Sequence, residues 1–140
     1  MSPEQALQHM NEVKYEYINT HKPQSISTYE YWAEITRVVD ADTLDLSISV
    51  GFNMTVNERV RLLGINTPET HCVKHDSEEY RQGMMATEYL ISRAPVGSWV
   101  EVMIFYGKRE KYGRWLAEVF VDGDSINHEL LVTGHAEPIN

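Results

Sequence analysis

A single cysteine, Cys72, is all the sulfur chemistry of disulfide type that this chain could offer, so an intramolecular disulfide is excluded and stability must come from packing. No apolar run approaches the roughly 20 residues of a membrane-spanning helix, so no membrane is expected as a partner. The first residues, Met1 to Gln8, lack the basic-then-apolar order of a signal peptide. The expectation is therefore cytoplasmic, or host cytoplasm if the source is viral. Positive charge is also scarce: 12 Lys and Arg stand against 21 Asp and Glu, a formal charge of −9. That excludes a broadly basic surface, and any affinity for polyanions must come from a local cleft and weaken steeply with salt. Arg59, Arg61, Lys108, Arg109, Lys111 and Arg114 are the residues from which a cleft could be made.

With 140 residues the chain is one domain by length. Ser2 offers an N-cap, Pro3 a first helical residue and Gln5 a capping-box partner, and Ala6, Met10, Val13 and Tyr17 follow at helical spacing. A helix is predicted from Pro3 to about Ile18, then a linker over Asn19 to Ser27; residues 1–28 form this extension and 29–140 the main domain. Strands are predicted over Tyr29–Val39, over Thr43–Val50 with Leu44, Leu46 and Ile48 alternating against Asp45, Ser47 and Ser49, over Trp99–Phe105, and over Leu116–Val121. Asp122-Gly123 is a turn dipeptide. A helix from about Ser77 to Ala94, with Asp76 and Glu79 as its capping pair, carries a small-residue face of Gly83, Ala86, Leu90 and Ala94. A short helix from about Asn127 to Thr133 ends at Gly134. Strands and helices in this order make an α+β barrel rather than a doubly wound sheet.

The run from Arg59 to Thr70 is the remaining strand, and the rest of the chain is organised around it. Arg59, Arg61, Leu63 and Ile65 share one parity, Val60 and Leu62 the other. Pro68 stops the strand and delivers Asn66, Thr67 and Glu69 on an exit loop where oxygen atoms can converge on a hard cation. Upstream, Asp40 and Asp42 lie two residues apart, on one side of an extended chain. Downstream, Lys111-Tyr112-Gly113-Arg114 opens a strand with a guanidinium. Carboxylates for a metal, arginines for a phosphate and a glutamate beside them are the parts of a phosphodiester hydrolase.

The runs VVDADTLDL, RLLGINTPET, KYGRWLAEVFVDG and INHELLVTGHA, in this order and spacing, resemble the staphylococcal nuclease-like (thermonuclease) domain, from about Glu34 to Ala136. The resemblance implies a five-stranded OB-fold-type β-barrel with packed helices and calcium-dependent cleavage of DNA and RNA, breaking the bond to the 5′ oxygen. It implies that Asp42 is a metal ligand, that Thr67 gives its backbone carbonyl, that Asp40 belongs to the outer shell, and that Arg61 and Arg114 flank the scissile phosphate. Glu69 matches the general base, and Lys111 and Tyr112 match positions that contact a terminal phosphate. Calcium takes six to eight oxygens at about 2.3–2.6 Å, with magnesium or manganese as alternatives. Asn66 departs from the family, which usually has an aspartate there; an amide oxygen still coordinates, but the site loses a negative charge and metal affinity should fall. The family's carboxy-terminal helix and the tyrosines beyond the last short helix have no counterpart before Asn140, which makes the amino-terminal helix a candidate to cover the surface left open.

Blander readings stand beside these. Asp40 and Asp42 on their own suit a turn, and strand arginines are mostly surface cations paired with acids. His71, Cys72 and His75 invite a zinc reading, but no fourth ligand is evident. The functional alternatives are a weakened domain that binds nucleic acid without cutting it, and an interaction module whose amino-terminal helix recruits a protein partner or a second copy.

Overall fold

The computed structural model describes residues 2–20, 28–105 and 114–139. In chain order these form α1 (Pro3–Thr20), β1 (Thr28–Asp40), β2 (Thr43–Gly51), β3 (Met54–Leu62), β4 (Ile65–Asn66), α2 (Glu78–Arg93), β5 (Trp99–Phe105), β6 (Trp115–Val121), β7 (Asp124–Ser125), α3 (Ile126–Val132) and β8 (Glu137–Pro138). Neighbours in the main sheet run β3-β2-β1-β5-β6-β7, and parallel pairing of β3 with β6 closes its first five strands into a barrel. At the closure Val60 stands opposite Trp115, Arg61 opposite Leu116 and Leu62 opposite Ala117. β1 has 13 residues and register shifts at Ile35/Arg37 and Val38/Asp40, bulges that let one long strand bend around the barrel wall.

Alternation decides what fills the interior. Leu44, Leu46 and Ile48 of β2, Val100, Val102 and Ile104 of β5, and Ala117 and Val119 of β6 are buried with Ala33, Ile35, Val60 and Leu62 in one core. Each of these Leu, Ile and Val side chains taken from water contributes about 1.5–3 kcal/mol before entropy is counted, the alanines less. The β2–β3 hairpin turns through Phe52 and Asn53, both at positive φ, so β3 starts at Met54, five residues before the expected strand.

The organising stretch is not one strand. Gly64 at φ +82 turns the chain, and Ile65–Asn66 leave the main sheet to pair with Glu137–Pro138 of β8. Leu63 and Ile65, on the parity of the arginines, are buried for this reason. A Cβ at Gly64 would stand 3.0 Å from Met10 Cγ, so the turn is shut by α1 as well as by its own backbone.

α1 opens with the expected capping box: Gln5 N–H donates to Ser2 Oγ at 3.1 Å, and Ser2 N–H to Gln5 Oε1 at 2.8 Å. It places Ala6 and Met10 in the barrel's core cluster, and His9 Nε2 donates to Ile139 O at 2.7 Å. Lys14 Nζ lies 2.7 Å from Glu118 Oε1. The Glu118 carboxylate points out of the barrel yet is fully buried, because α1 and α3 cover it with Lys14, Ser125 and His128. Burial holds the His128 imidazole below its usual pKa, with Glu118 opposing and Lys14 reinforcing the shift.

The N-cap of α2 is Ser77, whose side chain accepts from Tyr80 N, and not Asp76; a hydroxyl one residue later meets the first orphan N–H with Glu78 and Glu79 still in the first turn. Gly83, Ala86 and Leu90 form its buried face, as expected, and Ala94 follows them into the core. α3 is capped by Ser125, and Asn127, fully buried, ties β6 to the turn that follows β3. Its Oδ1 accepts from Val119 N, and its Nδ2 donates to Leu63 O and Ala117 O.

Candidate active site

Asp40 ends β1, and Ala41 and Asp42 form the turn to β2, with Asp40 paired to Thr43. The two carboxylates therefore sit on a tight hairpin and not on an extended chain, because a two-residue connection is all that separates the strands. Asp42 is buried and well partnered: Oδ1 accepts from Thr43 Oγ1 at 3.0 Å and Oδ2 from Thr67 N–H at 3.3 Å. Asp40 accepts from Thr70 Oγ1, and its Oδ2 is 3.5 Å from His71 Nε2. The exit loop is thus drawn onto the β1–β2 turn by both acids.

Arg61, next to the barrel closure, reaches back over the β4 segment. Its Nη1 donates to Ile65 O at 3.0 Å, and its Nη2 donates to Asn66 Oδ1 at 2.8 Å while standing 3.3 Å from Asp42 Oδ2. One guanidinium therefore spans two of the residues expected to hold a cation. Arg114, at the start of β6, donates to Thr43 Oγ1 at 3.1 Å, so the second guanidinium reaches the β2 start from the other side of the closure. Arg59 was expected to add to the basic cleft, but it forks onto Asp45 at 2.7 and 3.0 Å and holds that carboxyl below its usual range.

Glu69 lies on the loop that α2 supports. At Gly83 a Cβ would stand 2.6 Å from Pro68 O, 2.7 Å from Thr70 Cγ2 and 3.2 Å from Glu69 O, so only glycine lets the helix and this backbone touch. Partial burial raises the Glu69 carboxyl above the ordinary glutamate value; the charges of Asp40, Asp42 and Glu79 push the same way and Arg61 opposes them.

Asp40, Asp42, Arg61, Asn66, Glu69 and Arg114 line one open cavity of about 590 Å³, with Thr43, Arg59 and His71. Six of the nine residues singled out from sequence are gathered there. Thr67 sits behind it, buried, with its N–H on Asp42 and its Oγ1 without a partner among the described residues. Lys111 and Tyr112 lie outside the described residues. The zinc reading fails on geometry: His75 stacks on Tyr80 at 4.4 Å, Cys72 is exposed, and no group of three His, Cys, Asp or Glu able to hold a metal occurs among the described residues. Sequence reasoning missed Thr43 as the hydroxyl joining Asp42 to Arg114, although its place beside Asp42 was the available signal.

The family described as staphylococcal nuclease homologue matches residues 59–140. Thermonuclease of Staphylococcus intermedius is 30% identical over 125 residues, covering 87% of this chain and 70% of that protein. Endonuclease YhcR of Bacillus subtilis is 32% identical over 111 residues, 76% of this chain but 9% of that protein. The prophage-derived endonuclease YokF of the same organism is 35% identical over 109 residues, 73% of this chain and 32% of its own length. This chain thus spans only a part of those two endonucleases. A match to more than half of the chain, over the stretch that brings Arg61, Glu69 and Arg114 to one cavity, makes it a member of the staphylococcal nuclease family.

Proposed function

We propose that this chain hydrolyses phosphodiester bonds in DNA or RNA, with calcium as the bound cation and no preference between the two sugars. The observation that carries the reading is the single cavity shared by Asp42, Arg61, Glu69 and Arg114. Its donor set suits a hard divalent cation: Asp42, Asn66 and the Thr67 carbonyl supply oxygens, Asp40 stands in the outer shell, and the buried Thr67 Oγ1 has no other partner. Bound there, the cation would supply Lewis-acid polarisation and lower the pKa of a bound water.

The protein's own groups do the rest. Arg61 and Arg114 approach the cavity from opposite sides of the β3–β6 closure and donate to the non-bridging oxygens as charge builds on phosphorus. The contacts to Ile65 O and Asn66 Oδ1 hold the Arg61 plane while leaving it further N–H donors. Glu69 takes the proton of the attacking water, and the departing 5′ oxygen is protonated from solvent. Single-stranded or frayed chains suit an open cavity of this kind, and the acidic body makes binding salt-dependent.

A second reading, binding without cleavage, is favoured by one observation: Asn66 Oδ1 is already bonded to Arg61, and no second carboxylate stands at that position. One assay separates them. Purified protein is incubated with single-stranded DNA and RNA while calcium, magnesium and manganese are titrated, with Glu69→Gln as control. Cutting that needs both metal and Glu69 supports hydrolysis; retention of the polymer with no cutting selects the second reading.

A further inference from the structure

Beside the catalytic cavity lies a second one of about 390 Å³, and the two share Asn66 and Glu69 as a common wall. Their chemistry differs. The first holds Arg59, Arg61 and Arg114, whereas the second is lined by Glu79, Gln82, His135 and Glu137 and by no lysine or arginine. A phosphate is therefore repelled from it, while a neutral heterocycle that presents N–H donors meets carboxylate and amide oxygens.

His135 gives that heterocycle a surface. Its imidazole packs against Tyr89 with ring centroids 5.0 Å apart, and the backbone that carries it is tied down by the His135 main-chain N–H donating to Leu130 O at 2.9 Å. Tyr89 is itself fixed, its hydroxyl donating at 2.8 Å to Glu129, which Arg93 grips through two bonds. The ring is thus held in advance, as a stacking platform must be if ordering it is not to consume the binding energy.

Resting on the hydrolytic reading above, we infer that this second cavity is a nucleobase subsite: it takes the base of a nucleotide adjoining the scissile phosphate, stacks it on His135, and reads its N–H donors with Glu79, Gln82 and Glu137. Guanine, with N1–H and N2–H₂ side by side, fits best. Adenine and cytosine offer one amino group each. Thymine and uracil, whose lone N3–H is flanked by two carbonyls, fit worst.

The test uses thymidine oligonucleotides carrying one guanine, adenine or cytosine, with cleavage positions mapped and kcat and KM measured at each bond. Cleavage beside guanine at least ten-fold above the all-thymine background is expected. His135→Ala should raise KM five-fold or more with kcat little changed, and His135→Phe, which keeps a stacking face, should restore it. Glu79→Gln with Glu137→Gln should reduce the guanine-to-thymine ratio below three-fold. Equal cleavage at every base, or a preference that survives these variants, overturns the subsite. A binding arm needs no catalysis: in NMR titrations cytidine should shift the His135 ring protons and thymidine should not. Equal or absent shifts overturn the inference, whereas the expected shifts in a protein that cuts nothing support it and count against hydrolysis alone.

Discussion

Replacing Gly83 by alanine probes how the fold aims Glu69. The added Cβ would stand 2.6 Å from Pro68 O, where ordinary contact begins at 3.4 Å, so helix or loop must retreat by about 0.8 Å. Pro68 O and Glu69 O are backbone atoms that cannot rotate away, and the Thr70 methyl, at 2.7 Å, would have to move as well. In stability terms two effects oppose: alanine in a helix interior gains about 1 kcal/mol over glycine, and overpacking costs about 1–3 kcal/mol. The net is a loss of about 0–2 kcal/mol, a fall in Tm of no more than about 8 °C. Catalysis should suffer more, since a displacement approaching 1 Å at a reacting group costs on the order of 10²-fold. The assay is kcat on a single-stranded oligonucleotide at saturating calcium, with circular dichroism for Tm. Gly123→Ala is the control: it strains a positive φ, at +86, which helical Gly83 does not have, but it meets nothing within 4 Å, so it should lose about 1 kcal/mol and keep its kcat. A folded Gly83→Ala protein within two-fold of wild-type kcat would falsify the proposed support of the Glu69 loop.

Asn66→Asp should lower the calcium concentration for half-maximal activity, because it adds a carboxylate where an amide now bonds Arg61; calorimetric calcium affinity checks this independently of turnover. Met10→Ala empties a fully buried position under Gly64 and should cost about 2–5 kcal/mol in urea unfolding, with the midpoint lowered accordingly. A midpoint equal to wild type would mean that α1 does not hold the barrel. His128 has a folded-state pKa below its ordinary 6.5, so the unfolded chain binds the proton first. Its contribution is complete above pH 6.5 and is lost as pH falls through that value towards the folded pKa; His128→Gln should flatten the Tm profile across that interval.

Period-two alternation made β2, β5 and β6 legible, because Leu44-Leu46-Ile48 and Val100-Val102-Ile104 read directly as one inward face. The small stripe of α2 was legible for the same reason, at helical spacing. What alternation could not show is where a strand leaves its sheet. Leu63 and Ile65 share parity with Arg61 and are buried only because Gly64 redirects the chain towards β8, a partner 73 residues away from Ile65 in sequence. Nor does alternation show that Glu118 of β6 is buried, because the helices α1 and α3 that close over it are distant in sequence or come later. At the candidate site, motifs singled out Asp42, Arg61, Glu69 and Arg114, and that these four line one cavity is a property of barrel closure. The grip of Arg61 on Asn66 and the approach of α2 at Gly83 are contacts between side chains and backbones that no local pattern encodes.

The parallel seam between β3 and β6 has a consequence for biosynthesis. Arg61 faces Leu116 across that seam, and Arg114, next to β6, is synthesised 45 residues after Glu69 and later still than Asp42. Until the late strand docks, a nascent chain carries an acidic, half-made cleft whose phosphate grip is incomplete. On the proposed activity, the messenger and the ribosomal RNA beside a growing chain are protected by topology, because the strand that closes the barrel, the last of its five to be synthesised, is also the one that arms the molecule.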